Sequence, residues 1–140
     1  MNKFDLVIKS DKVFIDGRLI DCYIGVKGGI ITAISKEELK AKRVIDAKGK
    51  MVLPGTVDPH VHIRAPGHNE RETFESGSKD AALGGVTTII EMPISVPPPH
   101  SPEIVKRRMD IADKEVVVDI AFYGAAGSDC LDDIIPCAES

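Results

Sequence analysis

MVLPGTVDPHVHIRAPG, residues 51–67, places His60, His62 and Arg64 at every second position between an apolar run and Pro66-Gly67. On an extended strand, residues two apart project to the same side. Asp58, His60, His62 and Arg64 therefore make one row, and Val57, Val61 and Ile63 make the other. The aliphatic row can bury itself, whereas a row of imidazoles and a guanidinium calls for a chemical reason. The pattern predicts a strand from about Thr56 to Ile63 with that chemistry gathered at its C-terminal end. Neutral imidazole suits zinc and similar ions, and His-x-His can offer two nitrogens to one metal. Asp58 sits where it could orient a histidine from outside the ligand set. His-x-His alone is a weak motif, and a metal needs three or four ligands. His68 and His100 fall in loops with no spacing that recruits them.

On the C-terminal side of this stretch, apolar runs alternate with helical patterns, the mark of a parallel sheet with crossover helices. A helix is predicted over about Arg71 to Leu83, closed by Gly84-Gly85, and a doubly buried strand over Val86 to Met92. Ser101-Pro102-Glu103 opens the next helix with an N-cap, a first-turn proline and an acid. Val105, Met109 and Ala112 supply its apolar stripe. A third strand is predicted over Val116 to Tyr123, then a helical stretch from Ser128 bearing Leu131, Ile134 and Ile135. An eight-fold barrel typically needs about 250 residues, so these units read as the front part of a larger fold. Gly28-Gly29 and Gly84-Gly85 lack the partners of a phosphate loop and read as turn glycines.

On the N-terminal side, alternation at Phe4, Leu6 and Ile8, at Val13 and Ile15, and from Ile20 to Val26 predicts short strands. Asp16-Gly17 is a hairpin signal. Ile30 to Ile34 adds a strand, and Lys36 to Lys42 is the one candidate helix. The expectation is a small antiparallel sheet with one wet face.

The bulk composition narrows the function. With 43% hydrophobic residues but only 4% aromatic, the core must rest on aliphatic side chains. A net charge of −4 argues against nucleic acid as partner. The basic runs Lys40-Ala41-Lys42-Arg43 and Lys106-Arg107-Arg108 read as solvated faces. The opening MNKFDLVIKSDK has no apolar stretch long enough for a signal peptide or a membrane span. Cys22, Cys130 and Cys137 form no CxxC pair, which predicts reduced thiols in a cytoplasmic protein.

VLPGTVDPHVHIRAPG followed by ETFESGSKDAALGGVTTIIEMP resembles the metal-dependent cyclic amidohydrolases, the family of dihydroorotase, allantoinase and hydantoinase. KGGIITAIS and VIDAKGKMVLPG are similar to that family's N-terminal sheet, so the likeness covers essentially the whole chain. The resemblance implies an α/β fold. Residues 1–52 would form the N-terminal part of a small antiparallel β-sandwich domain, and residues 53–140 the first three strand–helix units of a TIM-like (β/α)8 barrel, truncated at Ser140. It implies two divalent ions of the zinc type, with His60 and His62 binding one of them. The bridging lysine, the remaining ligands and the general base are expected beyond Ser140. No catalytic residue is thus expected in this chain, and the 140 residues alone should be inactive.

The implied reaction is hydrolysis of a ring amide in a small cyclic ureide or amide, giving a ring-opened ureido acid. The complete enzyme would be a homo-oligomer. Two signals divide over the substrate. Arg64 in His-x-Arg resembles dihydroorotase, where it would pair with the substrate carboxylate. IIEMPISVPPP, with the small polar Ser95 at the substrate, looks more like allantoinase, and it spans more residues. Ala65 departs from both groups, which usually place an acid there. The reading is therefore allantoinase-like. The alternatives are dihydroorotase, a non-catalytic subunit of the same fold, or a gene remnant.

Overall fold

The structure, a computed structural model, describes residues 3–140. They fall into two compact units, one ending at Pro54 and the other beginning at Gly55.

The first unit is a four-stranded sheet of β1 (Phe4–Ile15), β2 (Arg18–Lys27), β3 (Ile30–Ser35) and β4 (Ala41–Asp46), in the order β3-β2-β1-β4. Asp16 and Gly17 both take positive φ, 49° and 78°, as a two-residue hairpin joining β1 to β2 requires. A bulge interrupts β1 between Ser10 and Val13. There the Ser10 hydroxyl donates to the Lys50 carbonyl at 2.6 Å and accepts the Lys12 N–H at 3.0 Å. Val13, Cys22 and Ile24 form the buried cluster of one face.

Two expectations are corrected here. The sheet is mixed rather than antiparallel, because β4 pairs with β1 in parallel from Phe4↔Ala41 to Lys9↔Asp46. Residues 36–42 form no helix, and the chain is already extended from Ala41. A short charged segment cannot repay helix nucleation, whereas the open edge of β1 offers a ready ladder. Ion pairs across the β1–β4 ladder, Lys42–Asp5 at 2.8 Å and Lys9–Asp46 at 3.0 Å, accompany that pairing.

The second unit follows strand–helix alternation: β5 (Thr56–Val61), α1 (Phe74–Leu83), β6 (Val86–Glu91), α2 (Pro102–Ala112) and β7 (Asp119–Phe122). A 3₁₀ turn (Leu131–Asp133) and the short α3 (Ile134–Glu139) close it. The three strands make a parallel sheet in the order β5-β6-β7. Ile63, Ala65, Phe74, Ile89 and Ala112 form the core between sheet and helices. Phe122 packs edge-on against Phe74, ring centroids 5.8 Å apart.

Several boundaries differ from the sequence expectation, each for a local reason. β5 stops at Val61, and its ladder to β6 skips between Asp58 and Val61, where Pro59 has no N–H to give. α1 starts at Phe74 because Thr73 takes the N-cap and exchanges a reciprocal capping box with Ser76. β7 is shorter than Val116 to Tyr123, since the Val116 N–H is held by the Ala112 carbonyl and the Val117 N–H by the Ser78 hydroxyl. Leu131, Ile134 and Ile135 are exposed, as is Met109 of the predicted stripe on α2. Most consequentially, Arg108 is not on a solvated face: it is 1% exposed. No helix among the described residues is long and apolar enough to cross a membrane.

Candidate functional site

The C-terminal ends of β5 and β6, with the loops that leave them, gather every candidate residue of this unit. His60 lies on β5 and His62 one residue past its end, both exposed. Their Nε2 atoms are 3.1 Å apart, with the rings inclined at 66°. Two nitrogens each about 2.0–2.1 Å from a tetrahedral ion stand roughly 3.3 Å apart, close to this spacing, which here is that of a hydrogen bond between the two rings. The donor set is chemically apt, because imidazole nitrogen suits that class of ion. Among the described residues no cluster of three or more His, Cys, Asp or Glu side chains joins them.

Asp58 is half-buried, and its Oδ1 accepts the backbone N–H of His60 at 3.1 Å. The carboxylate thus holds the main chain of the His60 segment rather than an imidazole ring. Arg64 is exposed in the loop after β5, and no carboxylate among the described residues pairs with it. Its carbonyl accepts the His68 N–H at 3.0 Å. Ser95 is buried in the loop after β6, where its hydroxyl donates to the Pro97 carbonyl at 3.0 Å. His68 and His100 stay apart from the pair: His68 Nδ1 faces Glu70 at 3.5 Å, and the His100 N–H donates to the Pro98 carbonyl.

The loops bearing Arg64 and Ser95 are stitched together. The Val96 N–H donates to the Pro66 carbonyl at 3.0 Å. Gly67, at φ +113°, passes so close that a Cβ there would sit 2.6 Å from Val96 Cβ. Only glycine meets both demands. Beneath them, the Met92 N–H donates to the carbonyl of Val61, the residue between the two histidines, at 2.7 Å.

Sequence reasoning missed a buried pair. Glu91 ends β6 fully buried, and its Oε2 accepts a hydrogen bond from Arg108 Nη2 of α2. Burial raises the Glu91 carboxyl to about 7, although Arg108 and the nearby Ile63 N–H favour its ionised form. A signal existed: Arg108 falls three residues after Val105 and four before Ala112, on the buried stripe of the helix. Its membership of a basic run concealed this.

Against known proteins, a model described as the amidohydrolase family matches residues 51–130. A dihydroorotase from Lactobacillus gasseri is 42% identical over 130 residues, covering 93% of this chain and 30% of that protein. An allantoinase from Salmonella choleraesuis is 42% identical over 132 residues, covering 92% and 29%. Among solved structures, the L-hydantoinase (dihydropyrimidinase) from Arthrobacter aurescens superposes with a TM-score of 0.91 at 37% identity, over 97% of this chain and 31% of that one. The chain spans about 30% of the length of the curated relatives it matches.

Proposed function

We propose, from the premise that this chain belongs to the amidohydrolase family, that it is the N-terminal portion of a metal-dependent enzyme that hydrolyses the ring amide of a small cyclic ureide, as an allantoinase does. The observation that carries this reading is the 3.1 Å approach of His60 and His62 at the end of β5. β5, β6 and β7 are taken as the opening strands of a TIM-like barrel, whose active sites lie at the C-terminal strand ends.

In this reading His60 and His62 hold one of two divalent ions, zinc being favoured by the imidazole donors. Such a pair of ions, when bound, supplies Lewis acidity toward the amide carbonyl and lowers the pKa of water. The residues of this chain do the binding and orienting. Asp58 keeps the His60 backbone in place. The Arg64 guanidinium faces the substrate. Ser95, with its buried hydroxyl on the Pro97 carbonyl, shapes the loop beside it, and the Gly67–Val96 contact keeps their two loops in register. The general base and remaining ligands lie outside these residues. The unit ending at Pro54 is assigned to the β-sandwich domain and the unit beginning at Gly55 to the barrel, two residues later than the boundary expected between residues 52 and 53.

One observation favours a second substrate. Arg64 is exposed and has no carboxylate partner among the described residues, and a guanidinium fork fits a substrate carboxylate in two parallel hydrogen bonds. Dihydroorotate carries such a group. The test is to assay the full-length, zinc-loaded polypeptide bearing this sequence with allantoin, dihydroorotate and hydantoin. Turnover of allantoin above the others is expected. Preferential turnover of dihydroorotate, lost in Arg64→Ala, would establish the second substrate. Stoichiometric zinc with no turnover of any of the three would mean a non-catalytic relative.

A further inference from the structure

We propose that Glu91 and Arg108 are positioning residues for the metal-binding end of β5, holding the backbone around His62 from the opposite face of the sheet. The inference rests on the metal reading above.

The two faces are distinct. Ile63, Ala65 and Ile89 belong to the core beneath the helices, while His60, His62 and Arg64 alternate with that row and stay exposed. Glu91, two residues after Ile89, points with it into the helix layer and meets Arg108 there. Three strand ends converge on Glu91. The N–H of Met92, its neighbour in sequence, binds the Val61 carbonyl of β5 at 2.7 Å. Its own carbonyl accepts the N–H of Tyr123, just past β7, at 3.0 Å. The Arg108 guanidinium also covers the Phe122 ring at 5.1 Å, tying the end of β7 to the same point.

Packing alone does not call for this pair. Desolvating a carboxylate and a guanidinium is costly, and apolar residues of similar volume often serve stability as well or better. Here the cost is increased, because Glu91 Oε1 and Arg108 Nε and Nη1 have no hydrogen-bond partner among the described residues. What an ion pair adds over an apolar contact is direction. A carboxylate held by α2 fixes where β6 ends, and through the Met92–Val61 hydrogen bond it fixes where His62 begins. Groups that hold metal ligands from outside the ligand set commonly change affinity by about 10–100-fold when removed.

The test uses the full-length polypeptide and the double variant Glu91→Met with Arg108→Met, in which apolar groups replace both charges. Three quantities are measured: the thermal midpoint, the zinc dissociation constant by chelator competition, and amide exchange over residues 60–65 in the metal-free protein. The expected result is a midpoint at or above the wild-type value, zinc binding weakened about 10–100-fold, and faster exchange around His62. A retained midpoint with unchanged zinc affinity and exchange overturns the proposal. If the double variant does not fold, Glu91→Gln decides by the same two readouts, and Arg108→Lys should recover part of the affinity. Wild-type protein that binds no zinc, or zinc binding that survives His60→Ala with His62→Ala, overturns the metal reading and this inference together. Zinc binding lost in the histidine variant but kept in the Met pair overturns this inference alone.

Discussion

The Nε2 atoms of His60 and His62 stand 3.1 Å apart although only His60 lies on a strand. Alternation would bring both rings to one side of any extended segment, and the Asp58 carboxylate on the His60 N–H and the Met92 N–H on the Val61 carbonyl keep this segment extended across the strand end.

His60→Ala should remove bound metal without unfolding the protein. The ring is exposed and packs in no core cluster, so the stability change should stay within about 0.5 kcal/mol. Metal analysis of the purified variant, alongside its thermal melt, checks this. Undiminished metal content would remove His60 from the ligand set.

Arg64→Lys separates charge from shape. A lysine keeps the positive charge but loses the planar fork. For a carboxylate-bearing substrate, KM should rise by roughly tenfold, the loss of one charge-assisted hydrogen bond of about 1.5 kcal/mol. For allantoin, which has no carboxylate, the change should be smaller. Equal effects on both substrates would contradict the pairing assigned to Arg64.

Gly67→Ala should be costly at a position with no core role. The new Cβ would meet Val96 Cβ at 2.6 Å, and φ is +113°. A destabilisation of about 1–3 kcal/mol is expected from the backbone alone, with KM raised because the loops bearing Arg64 and Ser95 move apart. Chemical denaturation and steady-state kinetics measure the two effects. A variant as stable as wild type would mean that the loops are not held at this point.

The pH dependence of stability has a definite sign. Glu91 rises from an ordinary 4.5 to about 7 in the folded state, chiefly through burial, so the folded chain binds that proton more tightly than the unfolded one. Its contribution is complete below the unfolded value and is lost as pH rises through the folded one. Stability should therefore fall across that window, and Glu91→Gln should flatten the fall. Denaturant titrations at several pH values test this, and an unaltered slope in the variant would assign the effect elsewhere. Asp5 and Asp46 act in the opposite sense. Asp5 is held low by Lys42 and the Gly28 N–H, and Asp46 by the Lys48 N–H and Lys9. Their contribution is present above the ordinary carboxylate range and is lost on acidification.

Much of both units was legible because the signals are local. Asp16-Gly17 has the residues that a positive-φ hairpin needs. Ser101-Pro102 starts a helix because proline's missing N–H costs nothing there. VTTIIE is β-branched enough to form a strand, and the structure makes it the central strand of three, but buried only at Ile89 and Glu91 rather than on both sides. The shared side of His60 and His62 also follows from strand geometry alone, whereas their separation does not.

By itself, then, the sequence determined the strand–helix alternation of the second unit, the Asp16-Gly17 hairpin, the start of α2, and the family likeness carried by residues 51–93. The tertiary structure alone decided that β4 pairs in parallel with β1, that Asp58 serves a backbone N–H, that Gly67 presses on Val96, and that Arg108 is buried against Glu91. The reason is physical. Periodicity and capping depend on neighbours within a turn or two of the chain, whereas edge pairing and desolvation depend on what arrives from elsewhere. Arg108 looks like a solvated charge among its neighbours, and only Glu91, 17 residues away in sequence, makes its burial tolerable.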